Sequence, residues 1–152
     1  MSEPGRVAAV DYGRRRIGLA VSDALRITTR GLPTLDRSAG AAGPQGLEEA
    51  AAQVAAVLLG EQAREVVLGL PLHADGRESE MSAEVRRFAA LLEARLAPAG
   101  VRLHLHDEGL SSWEAEEGLK AGGRDLARAR REGAIDQRAA LGLLRGWLEG
   151  QA

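Results

Sequence analysis

The chain has 152 residues, of which 45% are hydrophobic and 28% are charged. These values exclude wholesale disorder and a membrane-embedded bundle, and the length predicts a single domain spanning residues 1–152. The formal charge of −2 does not by itself indicate a polyanionic partner, and the absence of cysteine excludes disulfides, thiolate metal sites and cysteine nucleophiles.

The N-terminal residues lack a basic stretch followed by a long apolar run. We therefore expect neither a signal peptide nor a membrane anchor. The expected location is the cytoplasm, with no membrane partner.

The first third of the chain predicts three strands. Residues 7–10 and 17–21 are continuous apolar runs on either side of a turn-like segment, a pattern typical of a β-hairpin. A more polar stretch, residues 25–29, predicts a third strand at a sheet edge that ends before Gly31 and Pro33. Residues 36–46 have the composition of a loop.

Helices and strands then alternate. Residues 66–70 and 101–106 predict two further strands, and residues 111–114 form an S-x-x-E capping box that predicts a helix start. Three apolar stripes at helical spacing predict helices: Leu47, Ala50, Ala51, Val54, Val57 and Leu58; Met81, Val85, Phe88, Leu92 and Leu96; Ile135, Ala139, Ala140, Leu143, Leu144, Trp147 and Leu148. The order β-β-β-α-β-α-β-α-α predicts an α/β fold with a mixed sheet covered by helices on both faces.

Two acids stand at predicted strand ends. Asp11 ends an apolar strand, where an ionised carboxylate needs a cation or hydrogen-bond donors, although an Asx turn would also explain it. Glu108 follows the strand at residues 101–106, at the carboxyl end where open α/β sheets bind ligands. A solvated loop acid that favours the next helix N-terminus is the alternative explanation for Glu108.

Asp136 lies on a predicted helix. Ala140, Leu143 and Trp147 follow it by 4, 7 and 11 residues, so its side chain shares the apolar stripe. The alternative is an acid in the first helical turn that interacts with the helix dipole.

Convergence of these three acids would require a counter-charge. Like charges about 4 Å apart repel by about 4 kcal/mol at an effective dielectric constant near 20. A hard divalent cation, Mg²⁺ or Mn²⁺, relieves this repulsion, prefers oxygen ligands and gathers substrate phosphates. Asp11, Glu108 and Asp136 are therefore candidate metal ligands and catalytic residues of a phosphodiesterase.

Basic residues close to these acids in sequence are candidates for binding a nucleic-acid backbone, although ordinary solvated arginines would look the same. They are Arg14, Arg15, Arg16, Arg124, Arg128, Arg130 and Arg131.

Four segments carry a family resemblance. VAAVDYGRRRIGLAVSD, VVLGLPLHADG, HDEGLSSWEAEEGL and GAIDQRAALGLLRGWL occur in this order and span nearly the whole chain. They resemble the successive motifs of the YqgF (RuvX) family of Holliday junction resolvases, which is associated with maturation of the 5′ end of 16S ribosomal RNA. The resemblance implies a ribonuclease H-like fold with a five-stranded mixed sheet flanked by helices on both faces.

By motif, the family's acids fall on Asp11, Glu108 and Asp136, the three residues already selected by their positions. The resemblance thus implies a metal-dependent endonuclease acting on structured RNA, namely pre-16S ribosomal RNA, or on branched DNA, as a monomer or a homodimer. A departure from the family motif is Gly109, which stands where an arginine usually follows the glutamate. A cation expected beside the scissile phosphate is therefore absent unless Arg102 or an arginine of residues 124–131 substitutes for it.

Two other functions are open. The strand-turn-strand around Asp11-Tyr12-Gly13 also resembles the first phosphate loop of actin-like ATPases, which need a second lobe and a second loop that this chain does not supply. A non-catalytic RNA- or junction-binding module is the second alternative, favoured by Gly109.

Overall fold

The computed structural model describes residues 5–37, 46–73, 75–107 and 134–151. Within them lie eight elements: β1 (Arg6–Asp11), β2 (Arg16–Ser22), β3 (Thr29–Asp36), α1 (Leu47–Gly60), β4 (Ala63–Leu70), α2 (Glu80–Leu96), β5 (Arg102–Asp107) and α3 (Ala134–Gln151). A short 3₁₀ turn, Ala97–Ala99, ends α2, and Gly100 follows it in the left-handed region with φ 78°. None of the helices in the described ranges is both long and apolar enough to cross a membrane.

The strands form one mixed sheet in the order β3-β2-β1-β4-β5. β2 runs antiparallel to both β1 and β3, whereas β1, β4 and β5 are parallel to one another. The carboxyl ends of these three parallel strands therefore meet at one edge of the sheet, which we call the carboxyl edge. This is the edge at which α/β sheets of this kind bind ligands.

The two faces of the sheet are covered by different helices, as predicted. Alternation along β1 sends Ala8, Val10 and Tyr12 into a core shared with α1 and α2, whereas Val7 and Ala9 pack with α3. The α3 face has a smaller core, formed by Val7, Ala9, Ala20, Val67, Ala140, Leu143, Leu144 and Trp147.

The position of β3 differs from the prediction, which was wrong in placing the strand at residues 25–29. That stretch mostly forms the turn between β2 and β3: the Asp23 carboxylate accepts the backbone N–H groups of Ile27 at 2.7 Å and Thr28 at 3.0 Å. β3 instead continues through Pro33, because a terminal strand tolerates a residue without an N–H donor. The register with β2 shifts at Pro33 and Thr34, which form a bulge.

Smaller differences affect the first helix. Val57 was predicted to lie on its buried stripe but is exposed, and Ala55 is buried instead. The stripe of α2 is confirmed, with Phe88 and Leu92 fully buried, and that of α3 is confirmed from Ala139 to Trp147. The helix predicted from the capping box at 111–114 lies outside the described residues.

Candidate functional site

Asp11 is the last residue of β1 and lies at the carboxyl edge of the sheet. Its side chain continues the alternation of Val7 and Ala9 and so belongs to the α3 face. Only 9% of the residue is exposed, so this acidic residue is buried next to apolar residues of the strand. Across the hairpin it pairs with Gly18 of β2, whose Cα lies about 5 Å away, as in other antiparallel pairs.

Asp136 is brought to the same place by α3. It lies in the first turn of that helix, is partly buried, and shares the stripe of Ala140 and Leu143. The helix approaches β2 so closely that a Cβ on Gly18 would clash with the Asp136 carbonyl oxygen and lie 3.2 Å from its Cα. The absence of a side chain at Gly18 therefore allows the backbone of Asp136 to sit beside the residue that pairs with Asp11.

The structure thus brings two of the three predicted acids together. Asp11 and the backbone of Asp136 both lie next to Gly18 on the α3 face of the sheet. Both residues carry carboxylates, which are oxygen donors of the type that hard divalent cations prefer. Glu108, which directly follows the end of β5, lies outside the described residues. Among the residues that the structure describes, no group of three His, Cys, Asp or Glu side chains forms a complete metal site.

The predicted basic residues have different surroundings. Arg14 forms an ion pair with Glu84 of α2, with Nη2 at 2.8 Å from Oε1, and half of its side chain is exposed. Arg15 is exposed at the turn and Arg16 is partly buried at the start of β2. Arg14 and Arg15 are therefore the exposed members of the three. The predicted phosphate contacts at Arg124, Arg128, Arg130 and Arg131 fall outside the described residues.

Behind Asp11, on the α2 face, lies a buried polar cluster. Tyr12 donates its hydroxyl hydrogen to Glu84 at 2.5 Å and accepts a hydrogen bond from Arg37 at 3.0 Å. The Tyr12 ring packs against Phe88 at 4.8 Å between centroids, and the Arg37 guanidinium lies 5.4 Å from the Tyr12 ring centroid. We call Tyr12, Arg14, Arg37 and Glu84 the turn cluster.

The protonation states of the turn cluster follow from these contacts. Burial raises the pKa of Tyr12, and the hydrogen bond to Glu84 raises it further, so the phenol stays neutral and keeps its hydrogen. Burial also acts to raise the pKa of Glu84, but hydrogen bonds from Arg14 and Tyr12 outweigh this effect and hold that pKa below its usual value. Glu84 is therefore a stable anion at neutral pH.

A second cluster lies far from the carboxyl edge, near the start of β4. Glu65 accepts from Arg26 at 2.6 Å and interacts with Nε2 of His104 at 2.9 Å. The His104 ring also packs against Trp147, with centroids 5.2 Å apart. His104 is therefore partly buried and interacts with Glu65.

Sequence reasoning missed Glu84 and Arg37. Glu84 precedes Phe88 by four residues and so lies on the buried stripe of α2, which is a signal that the sequence contains. Arg37 follows β3 in a segment whose composition is that of a loop, and no pattern indicates that it is only 5% exposed.

Comparison with known proteins agrees with this architecture. The family model described as RuvX, Holliday junction resolvase, matches residues 5–150. A protein of Anaeromyxobacter dehalogenans is 41% identical over 97% of this chain and 98% of its own length, and one of Koribacter versatilis is 37% identical over 98% and 92%. Both carry the provisional name pre-16S rRNA nuclease.

Solved structures share the fold. Thermus thermophilus RuvC in complex with a Holliday junction superposes with a TM-score of 0.60 at 18% identity, over 96% of this chain and 94% of that chain. The yeast mitochondrial Holliday junction resolvase Ydc2 also gives 0.60, at 11% identity, over 99% and 80%. The five-stranded mixed sheet with helices on both faces is therefore a ribonuclease H-like fold, as predicted.

Proposed function

The chain belongs to the RuvX family, and from that premise we propose that it is a divalent-metal-dependent endonuclease acting on structured RNA. The proposed reaction is hydrolysis of phosphodiester bonds during maturation of the 5′ end of pre-16S ribosomal RNA. The observation that carries the proposal is the contact of Gly18 with the backbone of Asp136, because it seats one acid next to the strand pair that holds the other.

The proposed metal ligands are Asp11, Asp136 and Glu108, and the proposed ions are Mg²⁺ or Mn²⁺. A bound ion of this class activates water and stabilises charge on the leaving oxygen of a phosphodiester. The chain's own contribution is to hold carboxylate oxygens at a fixed place on the carboxyl edge. Burial of Asp11 at the end of a paired strand restricts its motion, so little conformational entropy is lost when an ion and a phosphate arrive.

The proposed role of Arg15 and Arg16 is to bind the phosphates that flank the scissile bond. Both follow Asp11 within the hairpin, so a backbone that reaches the acids passes these guanidinium groups. The proposed roles of Arg124, Arg128, Arg130 and Arg131 are the same. Because ribosomal precursor RNA is transcribed in the bacterial cytoplasm, the proposal also assigns the chain to that compartment.

The central test is Asp11→Asn with a matched control. Loss of the carboxylate should lower cleavage of pre-16S RNA by more than about a hundredfold, because even outer-shell changes around a metal cost about 10–100-fold. Asp107→Asn makes the same charge change at the end of β5, a parallel strand separated from β1 by β4, on the other face of the sheet, and should retain activity. Equal activity of Asp11→Asn and wild type would contradict the proposal, as would full activity in chelator.

A second candidate function is resolution of four-way DNA. The family description and the likeness to a resolvase solved with its junction favour it. Junction cleavage needs two sites, one for each scissile strand, so it predicts a homodimer, whereas RNA cleavage does not require one. Parallel assays on pre-16S RNA and on a four-way junction of matched length, with Mg²⁺ and with Mn²⁺, distinguish the two.

A further inference from the structure

The turn that follows Asp11 is hydrogen-bonded at four consecutive residues to two charged residues from elsewhere in the chain, at three of them through side chains and at Arg15 through the Arg37 backbone. Glu84 of α2 accepts from the Tyr12 hydroxyl and from Arg14 Nε, the latter at 3.0 Å. Arg37 donates its guanidinium to the Gly13 carbonyl at 3.0 Å and its backbone N–H to the Arg15 carbonyl at 2.7 Å. Each residue from 12 to 15 thus forms a hydrogen bond with α2 or with the residue that follows β3.

Stability alone does not require these charges. Glu84 is 1% exposed and Arg37 is 5% exposed, and burying such groups carries a desolvation cost that the ion pairs only offset. Replacement of buried ion pairs by apolar residues of similar volume often leaves the stability of a protein unchanged or raises it. What directional hydrogen bonds add, and apolar packing does not, is a defined orientation of the turn.

That orientation bears directly on Asp11. Asp11 and Tyr12 share a peptide unit and point to opposite faces of the sheet. When the Tyr12 ring is held on one face by Phe88, Glu84 and Arg37, the peptide plane between the two residues is fixed. The direction of the Asp11 side chain on the α3 face is then restricted as well.

We propose that Glu84 and Arg37 are positioning residues that act through Tyr12 to hold Asp11 in the geometry for binding a divalent cation. The inference deepens the proposed function and rests on it for the identity of the ligand. It adds to the site a second set of residues, on the face of the sheet opposite to Asp11.

The test measures Mn²⁺ binding without nucleic acid, by calorimetry or by loss of the free-ion electron paramagnetic resonance signal. Tyr12→Phe keeps the ring against Phe88 and removes only the hydroxyl group, while Glu84→Gln removes the charge at nearly constant volume. The dissociation constant for Mn²⁺ should rise about tenfold in each, at the lower end of the effect of outer-shell changes on metal affinity. Asp11→Asn supplies the baseline for binding that does not depend on Asp11.

A matched control separates positioning from loss of stability. Glu65→Gln removes a comparably paired carboxylate, bound by Arg26 and His104, away from the carboxyl edge. It should lower the melting temperature as Glu84→Gln does, yet bind Mn²⁺ like wild type. If Glu84→Gln does not fold, Tyr12→Phe carries the test alone.

The outcomes for the inference and for the proposed function are distinguishable. Wild-type Mn²⁺ affinity in Tyr12→Phe and Glu84→Gln, with cleavage intact in the parent protein, overturns the inference and leaves the proposed function standing. Asp11-dependent Mn²⁺ binding that weakens in both variants supports the inference. If the parent protein also leaves RNA and junction DNA uncut, that lack of cleavage overturns the proposed function but not the inference. Absence of Asp11-dependent binding in the parent protein overturns both.

Discussion

The two faces of the sheet are packed by different means. The α1 and α2 face is filled with large side chains such as Phe88, Leu58 and Leu92, all fully buried. The α3 face also contains large side chains, but small residues of β1 and β2, namely Ala9, Gly18 and Ala20, lie beneath the helix. Large side chains keep a helix at a distance, whereas small ones let its backbone come close. Packing on the first face therefore supplies mainly stability, and packing on the second sets the position of Asp136.

The largest expected effect on stability comes from the α1 and α2 face. Leu92→Ala should lower the free energy of unfolding by about 3 kcal/mol, because it removes buried methyl groups and leaves a cavity. Denaturant unfolding followed by circular dichroism measures this loss. If Leu92→Ala stays folded, it should bind Mn²⁺ with the same affinity as the parent protein. Weakened binding in the folded variant would show that the two faces are not separable.

On the α3 face, a substitution is expected to affect Mn²⁺ binding and cleavage more than it affects stability. Gly18→Ala should cost only about 1–3 kcal/mol as an overpacked site, but the new Cβ clashes with the backbone of Asp136 and must displace the start of α3. Cleavage and Mn²⁺ affinity should fall far more than stability does. Steady-state cleavage rates together with unfolding curves measure both.

Gly31→Ala is the matched control for Gly18→Ala. Gly31 lies on the adjacent strand beneath the same helix, but its Cβ would meet the flexible side chain of Gln137, which can move aside. Displacement of the Gln137 side chain breaks its hydrogen bond to the Leu32 carbonyl, so we expect a small loss of stability. Mn²⁺ binding should be unchanged. Equal effects of the two substitutions would contradict the role assigned to the backbone contact.

The turn cluster, on the α2 face, predicts a pH dependence of stability. Glu84→Gln should cost about 2 kcal/mol at neutral pH, since it weakens charge-assisted hydrogen bonds to a buried group. The pKa of Glu84 is lowered in the fold, so its contribution is fully present above its ordinary value of 4.5 and is lost as pH falls through the lower folded value. The stability difference between parent protein and variant should therefore shrink in acid, as urea titrations at a series of pH values would measure. A difference that stays constant below pH 4.5 would contradict the assignment.

The smallest effect is expected outside both faces. Ile27 is 75% exposed in the turn between β2 and β3. Ile27→Thr should change the free energy of unfolding by less than about 0.5 kcal/mol and leave cleavage unaltered. A larger change in unfolding, measured alongside Leu92→Ala, would show that this turn contributes to the core.

Much of the fold could be predicted because hydrophobic periodicity reports burial directly. The stripes of α2 and α3 and the apolar runs of β1 and β2 were recognisable for this reason. β3 was misplaced because Gly31 and Pro33 are typical of strand ends, and only the pairing with β2 reveals that a terminal strand accommodates them. The prediction that Val57 is buried was wrong because one apolar residue in an alanine-rich helix does not define which side of the helix faces the sheet.

The candidate site was predictable in part. Asp11 and Asp136 were recognisable as acids in apolar surroundings, at a strand end and on a helical stripe. Their proximity depends on Gly18, whose significance appears only when the helix is placed on the sheet. The pairing of Arg14 with Glu84 joins residues 70 positions apart in the chain, and no local pattern encodes such a contact. The roles of Glu108 and of the arginines at 124, 128, 130 and 131 stay predictions.

The proline and bulge of β3 have a consequence for the behaviour of the chain in concentrated solution. A terminal strand offers a row of hydrogen-bonding groups that a second molecule can use as a template for strand addition. Pro33 lacks a donor, and the bulge at Pro33 and Thr34 bends the row out of register. This border of the sheet is therefore a poor nucleus for aggregation, and replacing Pro33 with a straight-chain residue would remove that protection.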